Sequence, residues 1–342
     1  MYKQRIEFID LAKGICIILV VLFHICSYYN VSLPASHFFR AFRMPLYFFL
    51  SGFFFKTYSG IGEFIKKKTN KLLVPFVFFY LTLSVLLSIF LYRYLGVVIE
   101  KAVNFDFFTC LTEFAIRENF PNSPLWFLLC LFEVNILFYI CYLIGNHWQK
   151  NQVVFLIGIS LIIGYFGLVL SVFHVNLPVF IDSSMTSLPF FMMGYVINRH
   201  TSILQPNKYD RYSVLIIILC FVFVYVFATG GGFKSNRFGW ISFVTLYPCG
   251  FLGTIGVMYL AKKIKYLPLV SYWGRYSIMI LCTHRMVYQL FAYFLNIPNY
   301  LYLKGAFPVV INLTLTMLSY QLLIPFMKQY LPYVTAQKDI IK

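Results

Sequence analysis

The chain has 342 residues, of which 61% are hydrophobic, 21% aromatic and only 11% charged. A soluble domain carries about 25% charged residues and under half apolar ones, and one soluble core cannot absorb this much apolar surface. That excludes a soluble enzyme, a secreted disulfide scaffold and a disordered chain, and points to a polytopic membrane protein. The net charge of +17 comes from 28 Lys and Arg against 11 Asp and Glu. In a membrane protein it reads first as cation-rich cytoplasmic loops, not as nucleic-acid binding.

A membrane-crossing helix needs about 20 apolar residues. Ten stretches qualify, at roughly 11–29, 38–56, 72–92, 124–144, 152–173, 178–198, 212–229, 240–261, 274–295 and 306–327. The first follows Lys3 and Arg5 but has Asp10 and Lys13 at its start and no small-residue cleavage site after it, so it reads as an uncleaved span. Lys13 and His24 are eleven residues apart, about 16 Å and nearly three whole turns along a helix, so both lie on one face. Asp10 falls close to that face.

The second stretch carries Arg40 and Arg43, then Pro45 and Ser51-Gly52. Each arginine either snorkels to the outer interface or turns inward. The proline frees a backbone group, and the Ser-Gly pair lets helices approach closely. The basic run Lys66-Lys67-Lys68-Thr69-Asn70-Lys71 precedes the third span. It fixes topology, meets anionic headgroups or holds a polyphosphate.

The loop at 93–123 is the longest between spans, with room for a short amphipathic helix lying at the interface. The fourth span opens on Asn122-Ser123-Pro124-Leu125-Trp126, with Trp126 expected as an interfacial aromatic. Glu133, near its middle, needs a partner or a proton. The ninth span has Arg275 at its start and the pair His284-Arg285 near its middle. His147, His174 and His200 fall in predicted loops. The eight cysteines include no CxxC pair and sit mostly in apolar runs, so neither a disulfide framework nor a metal site is indicated. No repeat and no second soluble domain is visible, so 1–342 reads as one integral-membrane domain.

Loop cations set the orientation. With the N-terminus cytoplasmic, 18 of the 28 fall on that side, 6 on the other, and Arg40, Arg43, Arg275 and Arg285 lie near or within spans. The expected fold is an all-α helical bundle of about ten transmembrane helices with both termini cytoplasmic.

These residues together resemble the acyltransferase-3 family of membrane acyltransferases. The segment Arg5 to Gly14 running into His24 is similar to the family's opening, with Lys13 and His24 fitting its pattern of Arg or Lys, ten residues, then His. Phe42-Arg43-Met44-Pro45-Leu46-Tyr47-Phe48-Phe49-Leu50-Ser51-Gly52 is similar to its second signature, Leu125–Leu128 to a weaker one, and Ser277 to His284 loosely to a late one. Where many relatives carry paired arginines after the second span, this chain has Lys68 and Lys71. Where many O-acetyltransferase relatives carry His, it has Arg43.

The resemblance implies transfer of an acyl group, commonly acetyl from cytoplasmic acetyl-CoA, to a hydroxyl of a cell-surface sugar or lipid-linked glycan. It implies a multi-pass protein of the bacterial inner (plasma) membrane. His24 would act as general base, or alternatively as the carrier of a transient acetyl group. Arg43 would serve the oxyanion or orient the sugar. Lys13, Lys68 and Lys71 would hold the donor's phosphates, with Asp10, Trp126, Glu133 and His284 in supporting roles. The expected partners are the glycan acceptor and membrane lipids, with no nucleic acid and no metal; the oligomeric state is open. The alternative function is a transporter or flippase for a glycan or small acid, using the same buried charges as a substrate path.

Overall fold

A computed structural model describes residues 6–95, 107–117, 121–146, 151–201, 203–206, 208–294 and 306–341. Lys3, Arg5 and His147, named above, lie outside the described residues, as do four of the counted loop cations, Lys101, Lys150, Lys304 and Lys342, and part of the 93–123 loop. Helices run at α1 (Glu7–Tyr28), α2 (Ser36–Arg43), α3 (Pro45–Phe53), α4 (Ile61–Tyr94), α5 (Phe107–Ile116), α6 (Trp126–Gly145) and α7 (Gln152–Val172). They continue with α8 (Ile181–His200), α9 (Ser213–Phe227), α10 (Ser242–Ile264), α11 (Pro268–Arg275), α12 (Ser277–Phe294) and α13 (Ala306–Tyr330). A two-residue hairpin, β1 (Gly231–Gly232) and β2 (Arg237–Phe238), is the one sheet among the described residues.

The fold is an all-α polytopic helical bundle. Among the described residues seven helices are long and apolar enough to cross a membrane: α1, α4, α6 with the turn before it (Ser123–Gly145), α7, α9 with the turn before it (Tyr209–Phe227), α10 and α13. The other three predicted spans are helical but different in kind. The second is broken, because Pro45 has no N–H to continue the ladder and starts a new helix after Met44. The sixth, α8, buries Asp182, Ser183, Ser184, Thr186 and Ser187, and the ninth, α12, buries Thr283, His284 and Gln289. Both cover these polar side chains inside the protein. In the long loop the expected short helix forms as α5, with Cys110 and Phe114 buried and Phe108, Leu111 and Ile116 exposed.

The chain packs as two units interleaved in sequence: Met1–Cys16, Ala35–Ile65 and Cys130–Arg275 form the first, and Ile17–Pro34, Lys66–Leu129 and Tyr276–Lys342 the second. In the first, α3 and α8 touch backbone to backbone. A Cβ at Gly52 would collide with the Phe191 carbonyl, and one at Gly194 with that of Phe49. Small residues give such close approach in membranes, where apolar burial drives helix pairing little. Buried Asn236 ties the hairpin to α7 and α8, donating to Gly167 O at 3.0 Å and accepting from the Thr186 hydroxyl at 3.0 Å.

In the second unit α4 is irregular. A π-helical turn at Thr69–Leu73 precedes Pro75, and a longer one spans Phe79–Leu87. The wide turn leaves room for the proline ring that an α-helical ladder would reject. The first π turn also carries Asn70, 1% exposed, which clamps the C-terminal tail. Its amide donates to Ile341 O at 2.9 Å, and its oxygen accepts from the N–H groups of Ile340 at 3.0 Å and Ile341 at 2.9 Å. Lys67 pairs with Asp339 at 2.8 Å, and Lys71 donates to Ala336 O at 2.7 Å.

Asn70→Ala leaves the tail without three hydrogen bonds around a buried site, a cost of about 1–3 kcal/mol. The tail is then expected to become open to carboxypeptidase; unchanged protection would refute the clamp. The Lys67 hydrogen bond holds the Asp339 carboxyl below its ordinary range. That contribution is therefore fully present above the ordinary carboxylate pKa, about 3.9. It is lost only as the pH falls through the lowered value. Tail protection should be flat through neutral pH and fail in acid.

Candidate functional site

His24 sits about one turn before the end of α1 and is half-buried. His284, on α12, is fully buried, and the two imidazole rings lie 5.3 Å apart between centroids, tilted by 44°. The protonation of His284 follows from its surroundings. Its Nδ1 lies 2.8 Å from Ile280 O and 3.0 Å from Leu281 O. Carbonyls only accept, so Nδ1 carries the proton and donates. The neutral form of this ring therefore has its lone pair on Nε2, which has no hydrogen-bond partner among the described residues.

A second layer holds the pair. Asn312 of α13, fully buried, donates to the Tyr29 hydroxyl at 3.0 Å and to Tyr288 O at 3.0 Å. Tyr29 lies just past α1 and Tyr288 one turn beyond His284, so one amide ties together the two helices that carry the imidazoles. The hydroxyl of Thr316 donates to Asn312 Oδ1 at 3.0 Å and fixes which way that amide faces.

The other flank is the start of the fourth predicted span. Asn122 takes the left-handed conformation, φ 47 and ψ 53, ahead of a short 3-10 turn. Its buried amide donates to Ser84 Oγ at 2.9 Å and to Cys282 O at 2.8 Å. The second π segment of α4 supplies that serine, whose own hydroxyl donates to Phe79 O, five residues back, at 2.8 Å. Arg285 donates to Ser123 Oγ at 2.7 Å. Trp126 is 7% exposed and packs inside the protein, so it is not a lipid-facing belt residue.

The remaining predicted residues are described by their own units. Lys68 ends the α-helical start of α4, and Lys71 is engaged by the C-terminal tail. Asp10, Lys13, Arg43 and Glu133 belong to the first unit. Asp10 is 8% exposed, beside Gly274 of α11, and the Lys13 carbonyl accepts from the Tyr47 hydroxyl at 2.9 Å. Arg43 ends α2 at the break before Pro45. Glu133 accepts from Ser184 Oγ at 2.6 Å, which gives this carboxylate a partner inside the bundle. Asn122, Ser84, Ser123 and Asn312 carry no ionisable group and follow no spacing rule, so nothing in the residue pattern marks their part in this site.

A model of the acyltransferase domain, the acyltransferase-3 family, matches residues 6–324. The chain belongs to that family. No curated protein and no solved structure matches it.

Asn312→Ala leaves the Tyr29 hydroxyl and the Tyr288 carbonyl without their donor. Stability in mixed micelles is expected to fall by about 1–3 kcal/mol. A variant as stable as the parent would remove Asn312 from the frame of the imidazole pair.

Proposed function

We propose that this membrane acyltransferase moves an acetyl or other short acyl group from a cytoplasmic acyl-CoA to a hydroxyl of a cell-envelope sugar or lipid-linked glycan. The observation that carries the reading is the imidazole pair, in a chain that belongs to an acyltransferase family. Imidazole titrates near neutral pH and takes and returns a proton within one turnover.

His24 takes the proton of the acceptor hydroxyl as its oxygen attacks the thioester carbonyl. The tetrahedral intermediate collapses, the carbon–sulfur bond breaks, and the proton returns from His24 to the leaving thiolate. The neutral form of His284, its ring centroid 5.3 Å from that of His24, offers the Nε2 lone pair as an acceptor for the His24 imidazolium that exists in between.

With the purified protein in nanodiscs, labelled acetyl-CoA and a lipid-linked glycan, His24→Ala is expected to slow transfer by about 10²–10⁴-fold, the usual worth of a positioned base. Transfer by that variant at the parental rate would sink the assignment. Solute movement without an acyl donor would favour a transporter instead.

A further inference from the structure

On the predicted cytoplasmic face of the first unit lies a cavity of about 980 Å³, bounded by the start of α1, the connection between α8 and α9, and the end of α10. Its volume is at the upper end of the range for small-molecule sites, about 300–1,000 Å³. Lys262, Lys263 and Lys265 line it together with Phe8, Tyr259 and Glu7.

The three lysines are not equivalent. Lys262 is spent on structure: it donates to Asp210 Oδ1 at 2.8 Å and to Gln205 O at 2.7 Å, pinning the α8–α9 connection at the rim. Lys263 and Lys265 are exposed. Lys265 also has a backbone few L-residues adopt, φ 73 and ψ −61, with the Tyr266 N–H reaching back to Ile264 O at 3.0 Å. This is a γ-turn of the strained kind, and such strain at a non-glycine residue marks a place where the side chain is worth keeping. A tight turn with glycine would cost less.

We propose that this cavity is the phosphate subsite for the nucleotide end of the acyl donor, with Lys263 and Lys265 as its phosphate-binding residues. The assignment rests on the acyl-CoA reading above. Phosphate groups attract paired ammonium groups, and Lys is a common point-charge binder of them. Phe8 and Tyr259 offer an aromatic wall to a purine ring, and Glu7 an acceptor for its amine or for a ribose hydroxyl. An anionic lipid headgroup shares the phosphate chemistry but has no ring to stack and gains nothing from a carboxylate at the rim. Of the basic run at the start of α4, Lys67 and Lys71 are engaged by the C-terminal tail.

The test is equilibrium binding of labelled coenzyme A to the full chain in nanodiscs of neutral lipid, repeated with anionic lipid. The variant is Lys263→Ala with Lys265→Gly, the glycine chosen because it relaxes the turn while removing the charge. The proposal expects coenzyme A affinity to fall at least tenfold with no loss of thermal stability, and neutral and anionic discs to behave alike. Lys265→Gly alone, expected to be at least as stable as the parent, covers the case in which the double variant fails to fold; it too must weaken binding. If the parent binds coenzyme A and both variants bind it equally well, the cavity assignment is overturned while the donor reading stands. If the parent binds no coenzyme A, the donor reading falls and the cavity assignment with it. If anionic lipid alone displaces coenzyme A from the parent but not from the variants, the cavity is a lipid site and the proposal is wrong.

Discussion

A polar group inside hydrocarbon must find its partner within the protein, and this one requirement organises most of what is distinctive here. Among the described residues five buried asparagines meet it: Asn70 with the C-terminal tail, Asn122 with α4 and α12, Asn135 with Ser51 of α3, Asn236 with α7 and α8, and Asn312 with the ends of α1 and α12. Each bridges segments distant in sequence. Because apolar burial contributes little to helix pairing in lipid, these bridges, with the close glycine contact of α3 and α8, do what a hydrophobic core does in water. The imidazole pair exists inside that frame.

The broad architecture was legible in the sequence because hydropathy and charge bias report directly on the bilayer. The class, the helical content and most span positions followed from them. The departures have a common origin. Hydropathy averages over a window, so it registered 178–198 and 274–295 as apolar and passed over Ser183, Ser184, Thr186 and His284, which are tolerable only because neighbouring helices cover them. It also cannot see that Pro45 divides one stretch into two helices, or that Pro75 is accommodated by a π turn.

The candidate site was legible to a different degree. His24 stood out by its spacing from Lys13, and His284 by its pairing with Arg285. Their proximity was not readable, since one lies near the start of the chain and the other near its end. The residues that hold them are Asn, Ser, Thr and Tyr, types that occur in many spans for unrelated reasons. Glu133 illustrates the converse. Its need for a partner was plain from its position, and only the fold could name Ser184.

The Asn70 clamp has one more consequence. An asparagine amide presents a donor and an acceptor side by side, as a peptide group does, so Asn70 stands in for one rung of a β-ladder in a protein that has almost none. It reads only the main chain of Ile340 and Ile341. Recognition of this segment is therefore indifferent to which side chains those two residues carry and sensitive to proline, which would remove an N–H from the rung. Side-chain variation at 340 and 341 can drift freely while the docking persists.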